Sequence, residues 1–182
     1  MRQCKEYIVG LRIELKRKEV AAAAGEGGGG GGGEGRGDPV RNAELACFFT
    51  NCDLKPVHKV LTLRSAMMIL FKLKNFGLAA DMASRLVEAG PNEKLATQAR
   101  QVMAACDQGG LTDAVKLNYD PRTPFETCPI TFTPIFAGAP FAKCPLSGAK
   151  CAPQCKGQPS PVGNVARVGA EASGLMLIGY SS

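Results

Sequence analysis

A chain of 182 residues has room for one domain or two small lobes with a buried core, and a hydrophobic fraction of 45% places it among globular rather than disordered sequences. The net charge of +6 would suit a nucleic-acid or acidic-membrane partner, but acids are mixed among the bases: Lys16, Arg17 and Lys18, the densest run, lie between Glu14 and Glu19. The sequence shows neither a basic stripe interleaved with aromatics, which a nucleic-acid groove needs, nor the run of about 18–20 apolar residues that a membrane span needs.

The N-terminus has no apolar signal-peptide core, and Glu6, Glu14 and Glu19 are out of place in a transit peptide, so the expected location is cytosolic. In that compartment the eight cysteines are expected to be reduced, as buried apolar fillers or metal ligands rather than a disulfide framework.

Residues 1–24 read as an N-terminal amphipathic helix, with Tyr7, Ile8, Leu11 and Leu15 at helical spacing. Residues 25–39 read as a flexible linker, because Gly27 to Gly33 are seven consecutive glycines; the tract lacks the Lys-Ser/Thr ending of a phosphate-binding loop. Residues 40–110 form the expected helical lobe. Leu45, Ala46, Phe48 and Phe49 mark a helix over 41–52. Pro56 opens the clearest helix, 56–74, whose apolar face is Val57, Val60, Leu61, Met67, Met68 and Phe71, with His58, Thr62, Ser65 and Lys72 on the polar stripe. A helix over 75–89 ends at Gly90-Pro91. Asn92 caps the next, which carries Leu95, Ala99, Val102, Met103 and Cys106 and stops at Gly109-Gly110. The 35 residues from Pro56 to Gly90 match one helix pair of a helical repeat.

At Leu111 the composition changes. Residues 111–182 hold most of the twelve prolines, and short β-like runs replace helical periodicity: Ile130 to Phe136, Val162 to Val168 and Leu175 to Tyr180. Ala137-Gly138-Ala139 suggests a hairpin between the first run and Phe141, with Pro134 and Pro140 confining those strands to an edge. The fold class expected is therefore α+β: an antiparallel, solenoid-like helical lobe followed by a small β-rich lobe with a hairpin.

Signs of catalysis are lacking. Paired carboxylates and a serine elbow are missing, and His58, the only histidine, reads as a surface residue, with Cys47 and Cys52 the only material for a Cys-His pair. Cys128, Cys144, Cys151 and Cys155 could in principle hold zinc, but fifteen, six and three intervening residues leave no C-x-x-C pair, so no metal or cofactor is assigned. A zinc-stabilised protein-interaction module remains the alternative reading. Phe125, Phe132, Ile135, Phe136 and Phe141 crowd a short proline-rich stretch; they either pack on the helical lobe or stay exposed as a partner surface, and both readings stand.

Ordered stretches along nearly the whole chain resemble the C-terminal domain of COPI coatomer alpha subunits. They are Cys4-Lys5-Glu6-Tyr7-Ile8-Val9-Gly10-Leu11, Pro56-Val57-His58 through Leu61 and Arg64, and Phe71-Lys72-Leu73-Lys74-Asn75-Phe76 with a looser match from Ala83 to Pro91. Leu117-Asn118-Tyr119-Asp120 with Pro124-Phe125 and Cys144-Pro145-Leu146-Ser147-Gly148-Ala149 follow. The resemblance implies a non-enzymatic subunit of a cytoplasmic vesicle coat, peripheral on Golgi membranes, that serves Golgi-to-ER and intra-Golgi transport. The implied partners are the epsilon subunit of coatomer and the rest of the coat, with no nucleic acid and no small-molecule substrate. It also implies a β-hairpin gripped by the epsilon subunit's helical repeats. This hairpin is expected near Ile130 to Cys144, with Phe132, Pro134, Ile135, Phe136 and Phe141 as partner-binding residues.

Overall fold

The computed structural model describes residues 2–23 and 38–171; the glycine tract and the Leu175–Tyr180 run lie outside them. The described residues form five helices, α1 (Arg2–Ala22), α2 (Pro39–Thr50), α3 (Pro56–Lys72), α4 (Phe76–Glu88) and α5 (Glu93–Gln108). Four short strands follow, β1 (Phe125–Thr127), β2 (Pro134–Phe136), β3 (Ala142–Lys143) and β4 (Lys150–Cys151). This is the α+β class expected. The chain divides into two compact units, Glu6–Pro121 and Met1–Lys5 with Arg122–Ser182.

The helix ends follow local chemistry. Asp38 caps α2 by accepting from the N–H groups of Val40 and Arg41, each at 3.0 Å, with Pro39 at the first helical position. Asn92 caps α5 through the Leu95 N–H at 3.0 Å. Gly90, at φ +66°, supplies the left-handed residue that lets the chain leave α4. Successive helices α2 to α5 pack on their neighbours around Phe48, Leu63, Met67, Leu70, Met82 and Leu86, all at most 2% exposed.

Two helices are rotated from the phase expected. In α1, Val9 and Ile13 are buried while Leu11 and Leu15 are exposed, and Gly10 lets Phe49 approach so closely that a Cβ there would lie 2.6 Å from the ring. In α3, Val57 and Leu61 face solvent and Thr62 is buried, its hydroxyl donating to the Lys59 carbonyl at 2.9 Å. Apolar residues surround both helices too evenly for periodicity to choose a face, and a threonine that satisfies its own hydroxyl locally can turn inward.

The helical unit runs on to Pro121, past the compositional change at Leu111. A strap of non-helical chain explains this. Asn75, fully buried, donates from Nδ2 to the Val115 carbonyl at 2.7 Å and accepts the Val115 N–H at 2.9 Å. Asp113 accepts the Leu78 N–H at 3.1 Å, and Gly77 lies where a Cβ would come within 2.9 Å of the Leu111 carbonyl oxygen. Farther along, Arg85 donates to the Tyr119 hydroxyl at 3.0 Å and the Asn118 N–H to Glu44 at 2.8 Å.

In the β unit, β1 pairs antiparallel with β2 (Phe125↔Phe136, Glu126↔Ile135, Thr127↔Pro134) and β3 with β4 (Ala142↔Cys151, Lys143↔Lys150). The single hairpin expected within Ile130–Cys144 is thus two hairpins, the first starting earlier, at Phe125. Ala137-Gly138-Ala139 does turn, with the Ala139 N–H donating to Phe136 at 3.0 Å and Gly138 at φ +86°, but it links the hairpins instead of closing one. Pro140, which has no N–H, follows directly, so β2 cannot continue a ladder across this turn.

Both hairpins close by the same Cys-Pro turn. At Cys128 and at Cys144 the cysteine N–H donates five residues ahead (to Thr133 and Ala149, both 2.9 Å), and its carbonyl accepts from four ahead (Phe132 at 2.9 Å, Gly148 at 3.0 Å). Its sulfur accepts from three ahead (Thr131 at 3.4 Å, Ser147 at 3.5 Å). The fourth residue after each cysteine has positive φ, Phe132 at 55° and Gly148 at 67°. The Val162–Val168 run forms no strand. It loops back through an isolated Pro159↔Arg167 bridge, with Gly157 donating to Val168 at 2.8 Å and Val168 to Gln158 at 2.9 Å.

Candidate partner-binding surface

The first hairpin and the approach to β3 enclose a recess of about 170 Å³, lined among others by Phe125, Glu126, Ile135, Phe136, Phe141 and Lys150. Its apolar wall is a cross-strand pair: the Phe125 and Phe136 rings meet edge-on with centroids 5.8 Å apart. Its opposite side is charged. Lys150 Nζ lies 4.8 Å from the centre of the Phe141 ring and 2.8 Å from Glu126 Oε1. The cation is therefore fixed between an aromatic face and a carboxylate, beside an open apolar hollow.

Of the five partner-binding residues expected, the structure brings Ile135, Phe136 and Phe141 together around this recess. Phe141 is 47% exposed, Phe136 is half-buried, and Ile135 is buried in the core of the unit. Phe132 and Pro134 are half-buried and do not line the recess; Phe132 is the turn residue and Pro134 stands opposite Thr127 at the end of the ladder. Sequence reasoning missed Glu126 and Lys150 as site residues. They are 24 positions apart and meet only because β1 lies beside β4, for which the sequence carries no local signal.

Beneath the recess, Ile135 belongs to a buried cluster with Cys128, Cys151, Ala152, Cys155 and Val168. The neighbouring Cys151 and the N–H groups of Thr131 and Ala152, which donate to the Cys128 sulfur at 3.4 and 3.3 Å, hold the Cys128 thiol well below its ordinary range, while the interaction with Cys128 and burial push Cys151 up. Cys144 is buried outside this cluster. Among the described residues no group of three or more His, Cys, Asp or Glu side chains is placed to hold a metal ion, and the zinc alternative gains no support.

A second hollow, of about 420 Å³, lies on the helical unit and is lined by Tyr7, Leu11, Phe49, Leu54, His58 and Leu61 among others. The hydrogen bond His58 makes is to the Tyr7 hydroxyl, at 2.6 Å from Nδ1. Cys47 is fully buried, and burial raises its thiol far above the reactive range, unlike a nucleophile.

A family model for the C-terminus of the coatomer (COPI) alpha subunit matches residues 1–181. The chain belongs to that family. Among curated proteins it is similar to the coatomer subunit alpha of Dictyostelium discoideum, 41% identical over 96% of this chain and 14% of that protein. Coatomer subunit alpha-3 of Oryza sativa subsp. japonica is 43% identical over 94% of this chain and 13% of its own length. The coatomer subunit alpha of Saccharomyces cerevisiae is 33% identical over 95% and 13%. The chain thus spans about one seventh of the length of these relatives. Among the described residues no helix is long and apolar enough to cross a membrane.

Proposed function

We propose that this chain is an assembly domain of the COPI vesicle coat. It holds the epsilon subunit of coatomer and so helps join the alpha subunit to the rest of the coat. Its place is the cytoplasm and, through the complex, the Golgi membrane and COPI-coated vesicle, in Golgi-to-ER and intra-Golgi transport. It is a structural subunit and catalyses no reaction. The family match over residues 1–181 carries the coat role.

The recess beside Phe141 supports the contact. A half-exposed phenylalanine next to an apolar hollow is costly in water and becomes favourable once a partner covers it. The neighbouring Lys150–Glu126 pair sets a polar rim beside an aromatic centre, which is how protein interfaces concentrate binding energy. The test is size-exclusion chromatography of the chain with the epsilon subunit from the same source. Co-elution in a one-to-one complex is expected. Separate elution of two folded proteins, checked by circular dichroism, contradicts the proposal.

A further inference from the structure

The β unit contains thiol chemistry that holding a partner does not use. Cys128 and Cys151 are both fully buried in one cluster, and the backbone next to Cys151 reaches the Cys128 sulfur. That sulfur also accepts the N–H of Thr131 at 3.4 Å and of Ala152, the neighbour of Cys151, at 3.3 Å. Backbone donors aimed at a sulfur stabilise the thiolate, as they stabilise any localised anion. Cys144 is an internal control. It occupies the same Cys-Pro turn and accepts the Ser147 N–H at 3.5 Å, but it lies outside the buried cluster that holds Cys128, Cys151 and Cys155.

We propose that Cys128 and Cys151 are a redox pair, closing to a reversible disulfide when the protein meets hydrogen peroxide. Cys128 directly follows β1 and Cys151 ends β4, and β1 lies beside β4, so the new bond ties the first hairpin to the second. In the first step the Cys128 thiolate attacks one peroxide oxygen. The O–O bond breaks, Cys128 becomes a sulfenic acid, and hydroxide leaves to take a proton. In the second step the Cys151 sulfur attacks the Cys128 sulfur, the S–O bond breaks, and the Cys151 proton leaves with the hydroxyl as water. Overall two thiols lose two hydrogens and one peroxide becomes two waters. The oxidant enters through local opening: β3 and β4 are joined by only two residue pairs, and ladders that short open readily. Cys155 shares the cluster and is the competing partner. Cys151 is the nearer in chain to the contact, since its neighbour Ala152 donates its N–H to the Cys128 sulfur at 3.3 Å. The proposal does not depend on what the recess binds.

The test is oxidation of the reduced, folded chain with hydrogen peroxide, followed by alkylation of remaining thiols and peptide mapping. The expected product is an intramolecular Cys128–Cys151 link, reversed by dithiothreitol, with Cys144 recovered as an alkylated thiol. Cys4, which is exposed, serves as a marker that oxidant was present. Recovery of both Cys128 and Cys151 as alkylated thiols while Cys4 is oxidised overturns the proposal. So does a Cys128–Cys155 link, or Cys128 carried on to the sulfonic acid. A Cys151→Ser variant is the second arm: its Cys128 is expected to stop at sulfenic acid, trapped with dimedone. The wild-type map decides the question even if that variant does not fold.

Discussion

Replacing Asn75 tests the strap that extends the helical unit beyond its helices. Asn75 is fully buried, and its amide makes both a donor and an acceptor bond to the backbone of Val115, at 2.7 and 2.9 Å. Asn75→Ala removes both bonds and leaves two backbone groups of a half-buried residue without those partners. Each such loss costs about 1–2 kcal/mol where water can partly reach the group, so the change should cost roughly 2–4 kcal/mol. That is a large fraction of the ~5–15 kcal/mol that holds a typical domain. Asn75→Asp is the sharper probe. It can still accept the Val115 N–H, but its other oxygen faces the Val115 carbonyl without a proton. Burial and that carbonyl favour the neutral acid, so the folded pKa is raised above the unfolded one. The deficit should therefore be greatest at neutral pH and shrink as pH falls toward 4. Urea unfolding followed by circular dichroism at two pH values measures both. If Asn75→Ala unfolds within about 0.5 kcal/mol of the wild type, or Asn75→Asp shows no gain at low pH relative to wild type, the clamp does not hold the strap.

Other outcomes follow from single contacts. Gly77→Ala should destabilise by about 1–3 kcal/mol, although alanine is ordinarily the better helix former, because its Cβ would meet the Leu111 carbonyl oxygen at 2.9 Å; a rise in melting temperature would contradict this. Burial raises the Cys47 thiol far above its free value, so its contribution is complete below about pH 8.5 and fades above it, at up to ~1.4 kcal/mol per pH unit. Urea midpoints from pH 8 to 10 should fall less steeply for Cys47→Ala than for the wild type. Lys150→Ala should lower stability by only about 0.5–1.5 kcal/mol, through the Glu126 ion pair and the Phe141 ring, both partly exposed; a loss above about 3 kcal/mol would mean that Lys150 is structural and not a rim residue.

The helices were legible because their punctuation is local. Pro39, Pro56, Asn92, Gly90 and Gly109 act within one turn of where they stand, and the observed ends fall within a few residues of those expected. The buried faces of α1 and α3 were not legible. Leu11, Leu15, Val57 and Leu61 are as apolar as Val9, Ile13 and Val60, and the side that turns inward is set by tertiary packing, such as that of Phe49 on Gly10 in α1. The β unit was harder still. Strands of two or three residues are too short to show alternation, and Phe132 takes a left-handed conformation that sequence rules reserve for glycine or asparagine. Crowding marked Phe136 and Phe141 but left open whether they pack or stay exposed, and the family resemblance made them partner-binding candidates. Their neighbours Glu126 and Lys150 could not be identified, since a salt bridge across two hairpins depends on how those hairpins pack.

The most direct test of the partner-holding account is calorimetric titration of the epsilon subunit into the wild type and into a Phe141→Asp variant. Phe141 is 47% exposed, so the variant should fold as the wild type does by circular dichroism. The account predicts one-to-one binding by the wild type and at least a ~30-fold weaker complex for the variant, the ~2 kcal/mol expected of a central aromatic anchor. Equal affinities would place the contact elsewhere and contradict the role given to the recess.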